Sequence, residues 1–333
     1  MPRVAAVFTG GTISMRHDPV AGGNVPALSA ADILAQVPGI DSIAEIVAID
    51  RGLTPASHFS FPALFELWAA ISSALADDSI DGVVVVQGTD TIEETAFFFD
   101  LLHAGAKPLV VTGAMRPASA PDYEGPANIR DAVRVAAAPA GKDVGVVVVL
   151  AGSIEPADDV TKTHTSAFDT FRSLNTGSLG RVTERGVALA RPRGPRRHVA
   201  ATRAAERVHL VTATVAMDGT PIDALLAAGA DGFVVEATGG GNTSAELLAA
   251  GERAIAVGLP VVLTTRCSAG EASGAYAFPG GGATWLRAGA LLPGHLGGPK
   301  ARVALALGLG AGLDRDRLAA LLRDPASLPA AGA

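Results

Sequence analysis

The chain has 333 residues, 49% of them hydrophobic and 18% charged, with 39 glycines; that length buries a large core and accommodates two domains. A formal net charge of -7 excludes a general nucleic-acid or anionic-membrane binder, because phosphate recognition needs clustered Lys and Arg. The single cysteine, Cys267, cannot form an intramolecular disulfide, which excludes the disulfide-stapled secreted class.

In chain order, residues 4–8 predict a first strand. This apolar run is too short for the core of a signal peptide and has no cleavage site after it, so a cytoplasmic protein is expected. A helix follows over 62–76, a strand over 82–86 and a helix over 92–104 with Phe97, Phe98, Leu101 and Leu102 at helical spacing. A strand over 109–112, a helix over 126–137 and a strand over 144–150 continue the pattern. The valine runs are apolar throughout instead of alternating, as strands of a parallel sheet covered on both faces are. The expected class is therefore α/β, with a larger, doubly wound, mostly parallel N-terminal domain over 1–190. Residues 191–206 turn to Arg, Pro and Ala and read as an exposed linker. Strand candidates at 208–215, 232–236 and 260–265 then predict a smaller C-terminal α/β domain over 207–333. Residues 301–313, the longest weakly polar run, fall short of the roughly 20 needed to span a bilayer. The Pro- and Ala-rich tail over 324–333 is expected to fray.

Strand ends in such a sheet feed the loops that bind ligands. Three of these loops are polar and glycine-containing: Thr9-Gly10-Gly11-Thr12, Gln87-Gly88-Thr89-Asp90-Thr91 and Thr112-Gly113-Ala114-Met115-Arg116. A fourth, Gly239-Gly240-Gly241-Asn242-Thr243-Ser244, lies in the second domain. Each has a local explanation. Thr91 with Glu94, and Asp90 with Glu93, fit capping boxes. Thr12 fits a turn hydroxyl, and Thr243 or Ser244 a helix cap. The Gly-Gly pair lacks the spacing of a dinucleotide fingerprint or a P-loop. Lys162, in DDVTKTHTSAFDTF over 158–171, is a solvated surface charge on one reading. On the other it is held beside an alcohol and an Asp, where its positive charge favours an alkoxide. The seven histidines are scattered with no HxxxH or cysteine cluster, so no metal and no cofactor are expected.

Taken together, TGGTIS at 9–14, VVQGTDTIEETA at 85–96, VVTGAMRP at 110–117, DVTKTHT at 159–165 and GPKARVALALGL at 298–309 resemble the bacterial-type L-asparaginase and glutaminase family. The segments follow the family's order over nearly the whole chain. The resemblance implies an amidohydrolase that splits the side-chain amide of asparagine into aspartate and ammonia, with glutamine as a further substrate of some members. It implies Thr12 as the nucleophile that forms an acyl-enzyme, and Thr89, Asp90 and Lys162 as a second catalytic group. The backbone N–H of Thr89 is the implied oxyanion donor, and Asp90 the partner of the substrate's α-ammonium. Ser57 and His58 fall where the family binds the α-carboxylate, Gly88 adds a backbone contact, and the Ala114 carbonyl faces the amide. Asn242 and Ser244 match the segment that reaches the site of a neighbouring subunit, which implies a homodimer or homotetramer.

Two departures stand out. Periplasmic members carry an activating tyrosine in the loop after the nucleophile, and residues 15–29 contain none. Those members also supply a second-domain glutamate to the α-ammonium, whereas Glu271 stands at a different offset, ahead of Tyr276. The pattern is closer to the cytoplasmic branch. Two alternatives remain at this stage. One is the amidase subunit of a tRNA-dependent amidotransferase, which usually has an extra N-terminal domain; the other is a catalytically silent amino-acid-binding α/β protein.

Overall fold

The computed structural model describes residues 1–323, and the tail expected to fray lies outside them. Contacts within the chain divide it into two compact units, Met1–Arg193 and Gly194 onward. In the first unit the order is β1 (Arg3–Phe8), β2 (Met15–Asp18), β3 (Gly23–Pro26), α1 (Ala30–Leu34), β4 (Glu45–Asp50), α2 (Phe61–Ala76), β5 (Gly82–Val86) and α3 (Ile92–Leu102). It continues through β6 (Leu109–Thr112), α4 (Gly125–Ala137), β7 (Val146–Leu150), β8 (Ser153–Pro156), β9 (Val160–Lys162), β10 (Phe171–Ser173), β11 (Gly180–Thr183) and β12 (Gly186–Leu189).

Eight of these strands form one sheet in the order β12-β11-β8-β7-β6-β5-β1-β4. From β4 to β7 all neighbours are parallel, and β8, β11 and β12 extend the sheet in antiparallel pairs. Every residue of β5, β6 and β7 is buried, which explains their unbroken valine runs. On one face, Phe98 and Phe99 of α3 pack against Phe61, Phe65 and Trp68 of α2. The chain leaves β1 toward β4 on one side and returns to β5 on the other. Parallel sheets place ligands at such a reversal, here beyond the carboxyl ends of β1 and β5.

The sequence expectation holds for the central strands and for α2, α3 and α4, with shifts at their ends. The strand expected from residue 144 begins at Val146, and α3 stops at Leu102, after which His103 turns extended and its Nε2 meets the Lys107 carbonyl at 2.8 Å. The sequence reading did not predict β4 or the short antiparallel strands.

The second unit contains β13 (Val208–Thr212), α5 (Thr220–Ala227), β14 (Gly232–Ala237), α6 (Ala245–Ala256), β15 (Val261–Thr265), α7 (Gly282–Ala288), α8 (Gly298–Gly310) and α9 (Arg315–Leu322). Its three strands are parallel in the order β13-β14-β15. Phe233, Leu247, Leu263 and Trp285 are fully buried in its core. Among the described residues, no helix is long and apolar enough to cross a membrane.

The structure corrects in part the expectation that residues 191–198 form an exposed connection: Pro192, Gly194, Pro195 and His198 are exposed, but Arg193 and Arg197 are not. Arg193 has a side chain only 4% exposed, pairing with Asp100 at 2.7 Å and Asp158 at 3.0 Å and donating to the Val144 and Val146 carbonyls. Arg197 is buried in the second unit. A guanidinium with five donors satisfies several acceptors at once, so composition alone misjudged its burial.

Candidate active site

Strand β1 ends where Thr9 donates to the Val86 carbonyl through its N–H at 3.0 Å and its Oγ1 at 3.3 Å. Gly10 and Gly11 then adopt φ of +98° and +92°, a region that L side chains avoid. Space forbids a side chain at Gly11 as well, since a Cβ there would lie 2.2 Å from both Cα and N of Gly88. The loops after β1 and β5 therefore touch backbone to backbone. Their next residues are Thr12 and Thr89. Thr12 opens a 3-10 turn over Thr12–Ser14 and is partly exposed. The local hydroxyl of that turn is Ser14, whose Oγ donates to Gly11 O at 2.8 Å; Thr12 does not take that role.

Thr89 is 4% exposed and opens a second 3-10 turn, over Thr89–Thr91, leading into α3. Lys162, the last residue of β9, donates from Nζ to Thr89 Oγ1 at 2.9 Å and to Asp90 Oδ1 at 2.8 Å. Its side chain is 16% exposed and that of Asp90 73%, so this lysine is not a solvated surface charge. Neither expected capping box forms. Thr91 makes no cap bond and donates to the Ala56 carbonyl at 3.1 Å. Glu93 instead accepts the Lys162 N–H at 2.9 Å and the Thr161 hydroxyl on the same Oε2. The first turn of α3 thus grips strand β9 at the residue that carries the lysine. The sequence reading passed over this second use of Glu93 because capping already explained it.

The remaining first-unit candidates lie along the same edge. Ser57 and His58 are exposed in a 3-10 turn, Ala56–His58, and Ala56 Cβ lies 3.0 Å from where a Cβ on Gly88 would stand. Ala114 is fully buried and follows Gly113, whose carbonyl accepts from Asn128 Nδ2 at 2.9 Å. A Cβ on Gly113 would come 3.2 Å from Thr89 Cγ2. Two residues that the sequence reading did not single out also reach these loops. Tyr123 Oη donates to the Ile13 carbonyl at 2.8 Å, and Glu124 accepts the backbone N–H of Met115 and, at 3.3 Å, of Arg116. Burial first, and then the charge of Glu124, hold the Tyr123 phenol well above its ordinary pKa.

In the second unit, Ser244 caps α6, accepting from Leu247 N at 3.1 Å and donating to the Met217 carbonyl at 2.7 Å. Asn242 closes a tight turn by exchanging backbone bonds with Thr238. Its Oδ1 is buried with no hydrogen-bond partner among the described residues. Glu271 and Tyr276 are both exposed.

Comparison with known proteins finds matches over both units. The family model described as Asparaginase, N-terminal matches residues 3–194, and the Glutaminase/Asparaginase C-terminal domain matches residues 207–322. A probable L-asparaginase of Deinococcus radiodurans is 36% identical over 321 residues, 95% of each chain. L-asparaginase 2 of Escherichia coli is 30% identical over 320 residues, covering 93% of this chain and 89% of that one. A crystal structure of a probable cytoplasmic L-asparaginase from Campylobacter jejuni superposes with a TM-score of 0.86 at 28% identity, covering 97% of this chain and 99% of the other. Since both halves are matched in order and full-length relatives align from end to end, the chain belongs to the asparaginase/glutaminase family.

Proposed function

We propose that the protein is an L-asparaginase, splitting the side-chain amide of L-asparagine into L-aspartate and ammonia through Thr12. The observation that carries the mechanism is the Lys162 ammonium held between Thr89 Oγ1 and Asp90 Oδ1, in the loop packed directly against the Thr12 turn. Thr12 Oγ attacks the amide carbon, its proton ends on the leaving nitrogen, and ammonia departs from an acyl-enzyme. Water then adds to the acyl carbon, releasing aspartate and returning a proton to Thr12. Lys162 stabilises negative charge on the Thr89 side of the site, while Asp90 keeps the ammonium in place and faces solvent, available to a substrate α-ammonium. The Thr89 N–H serves as oxyanion donor. Ser57 and His58 meet the α-carboxylate, Gly88 adds a backbone contact, and the Ala114 carbonyl faces the amide.

The resemblance further supports a cytoplasmic homodimer or homotetramer in which a neighbouring copy contributes Asn242 and Ser244. Ser244 Oγ already caps a helix and donates to a carbonyl, so Asn242 carries more of that proposal. No metal or cofactor enters the scheme.

Ammonia release from L-asparagine and L-glutamine tests the reading, with Thr12→Ala and Thr89→Val beside the wild type. Loss of a covalent nucleophile is expected to lower kcat by roughly three orders of magnitude or more. Undiminished turnover in both variants overturns the mechanism; aspartate binding without turnover in the wild type indicates a silent binder.

A further inference from the structure

Chemistry at Thr12 requires the turn over Thr12–Ser14 and the loop over 113–116 to keep one relative position, and both are held by two consecutive residues. Tyr123 reaches the first, its Oη donating to Ile13 O at 2.8 Å across 110 residues of sequence. Glu124 reaches the second, one oxygen taking the Met115 N–H and the other the Arg116 N–H at 3.3 Å. The same segment secures the hairpin that follows the turn. Ala118 N donates to Met15 O at 2.8 Å and His17 N to Ser119 Oγ at 3.0 Å.

The seat of the phenol is built for it. The ring packs against the core of the first unit and folds back over Gly125, where an added Cβ would lie 2.4 Å from both ring Cζ and Oη. Gly125 has no left-handed φ, so its lack of a side chain serves the ring and not the backbone.

We propose that Tyr123 and Glu124 form a positioning clamp that sets the Thr12 turn against the 113–116 loop, with Tyr123 a fixed hydrogen-bond donor to the Ile13 carbonyl and not the group that takes the Thr12 proton. The proposal rests on the reading of Thr12 as nucleophile. Tyr123 acts through Ile13, so it is a positioning residue. Its proton is committed to a carbonyl, and burial beside Glu124 disfavours the phenolate. Small displacements matter here, because misplacing a reacting group by about 1 Å can cost roughly a hundredfold in rate.

The test compares steady-state ammonia release, aspartate affinity and thermal stability in the full chain. The proteins are the wild type, Thr12→Ala, Tyr123→Phe, Gly125→Ala, Glu124→Gln and the Tyr123→Phe/Glu124→Gln double variant. Tyr123→Phe removes only the hydroxyl, while Gly125→Ala keeps the phenol and drives it off its acceptor. Each is expected to lower kcat about tenfold, with KM and the aspartate Kd within about twofold of wild type. Their alkaline limb of kcat against pH should keep the wild-type position. In the double variant, Glu124→Gln should cost less than it does alone, since a clamp already open at one jaw has less to lose. The clamp is overturned if Tyr123→Phe leaves kcat unchanged, if the alkaline limb moves with the phenol, or if kcat, KM and melting temperature fall together. The Thr12→Ala arm reads the underlying assignment separately: full activity there removes the nucleophile and the clamp with it.

Discussion

Gly11 shows how narrowly the turn that carries the proposed nucleophile is specified. Its φ of +92° and the 2.2 Å approach of Gly88 to a would-be Cβ leave two independent reasons for glycine, one conformational and one steric. Neither obstacle is a flexible side chain that could swing away. Gly11→Ala is expected to lose about 2–4 kcal/mol of stability, combining left-handed strain with overpacking of backbone, and to abolish turnover even where it folds. Urea unfolding beside an ammonia assay checks both; a stable, active variant would show that the two loops are not in this contact. The need for glycine was legible in the sequence, because Thr-Gly-Gly-Thr at a strand end offers bare backbone between hydroxyls. What bare backbone was needed for was not, since Gly88 is 77 positions away and only the sheet order makes β1 and β5 neighbours. Glu93 and Tyr123 stayed hidden for a related reason. A carboxylate in the first turn of a helix and a tyrosine ahead of a Gly-Pro helix start each have an adequate local explanation, and their actual partners are Lys162 and Ile13.

At the level of elements, what sequence pattern resolves is what burial on both faces imposes. The valine runs of β5, β6 and β7 announce themselves, whereas β4 lies on the sheet edge with none of its residues buried. The antiparallel strands β8, β11 and β12 are four residues each, and long-range pairing, not a periodic pattern, fixes them. The end of the first unit is secured by the Arg193 cluster, which joins residues near the start of β7 to Asp100 of α3. A guanidinium 4% exposed beside a carboxylate 2% exposed is worth little net against an apolar pair, yet removing one partner strands the other. Arg193→Met is therefore expected to cost about 3–5 kcal/mol, with Arg193→Met/Asp100→Asn recovering part of the loss. Equilibrium unfolding of the two variants checks this, and an additive double variant would mean that the charges do not depend on each other.

For the molecule as a whole, the family match falls into two pieces, residues 3–194 and 207–322, and the proposed site residues divide along with it. Of the residues proposed to act, Thr12, Thr89, Asp90 and Lys162 belong to the first piece and Asn242 to the second. Asn242 Oδ1 is buried with no hydrogen-bond partner among the described residues, and it is the resemblance to the family that assigns this residue to the site of a neighbouring copy. If a neighbouring copy supplies Asn242, then a Thr12→Ala chain still offers an intact second unit and an Asn242→Ala chain an intact first unit. Each variant alone should be at least about tenfold slower than wild type, since each removes one group from every site. Dissociating the two, mixing them in equal amounts and letting them reassociate makes half of all dimers mixed, and one of the two sites in each mixed dimer is then complete. Activity is expected to climb to about a quarter of the wild-type value under two-fold symmetry. A mixture that stays at the average of its parents means that Asn242 acts within its own chain or not at all, and the shared-site assembly falls.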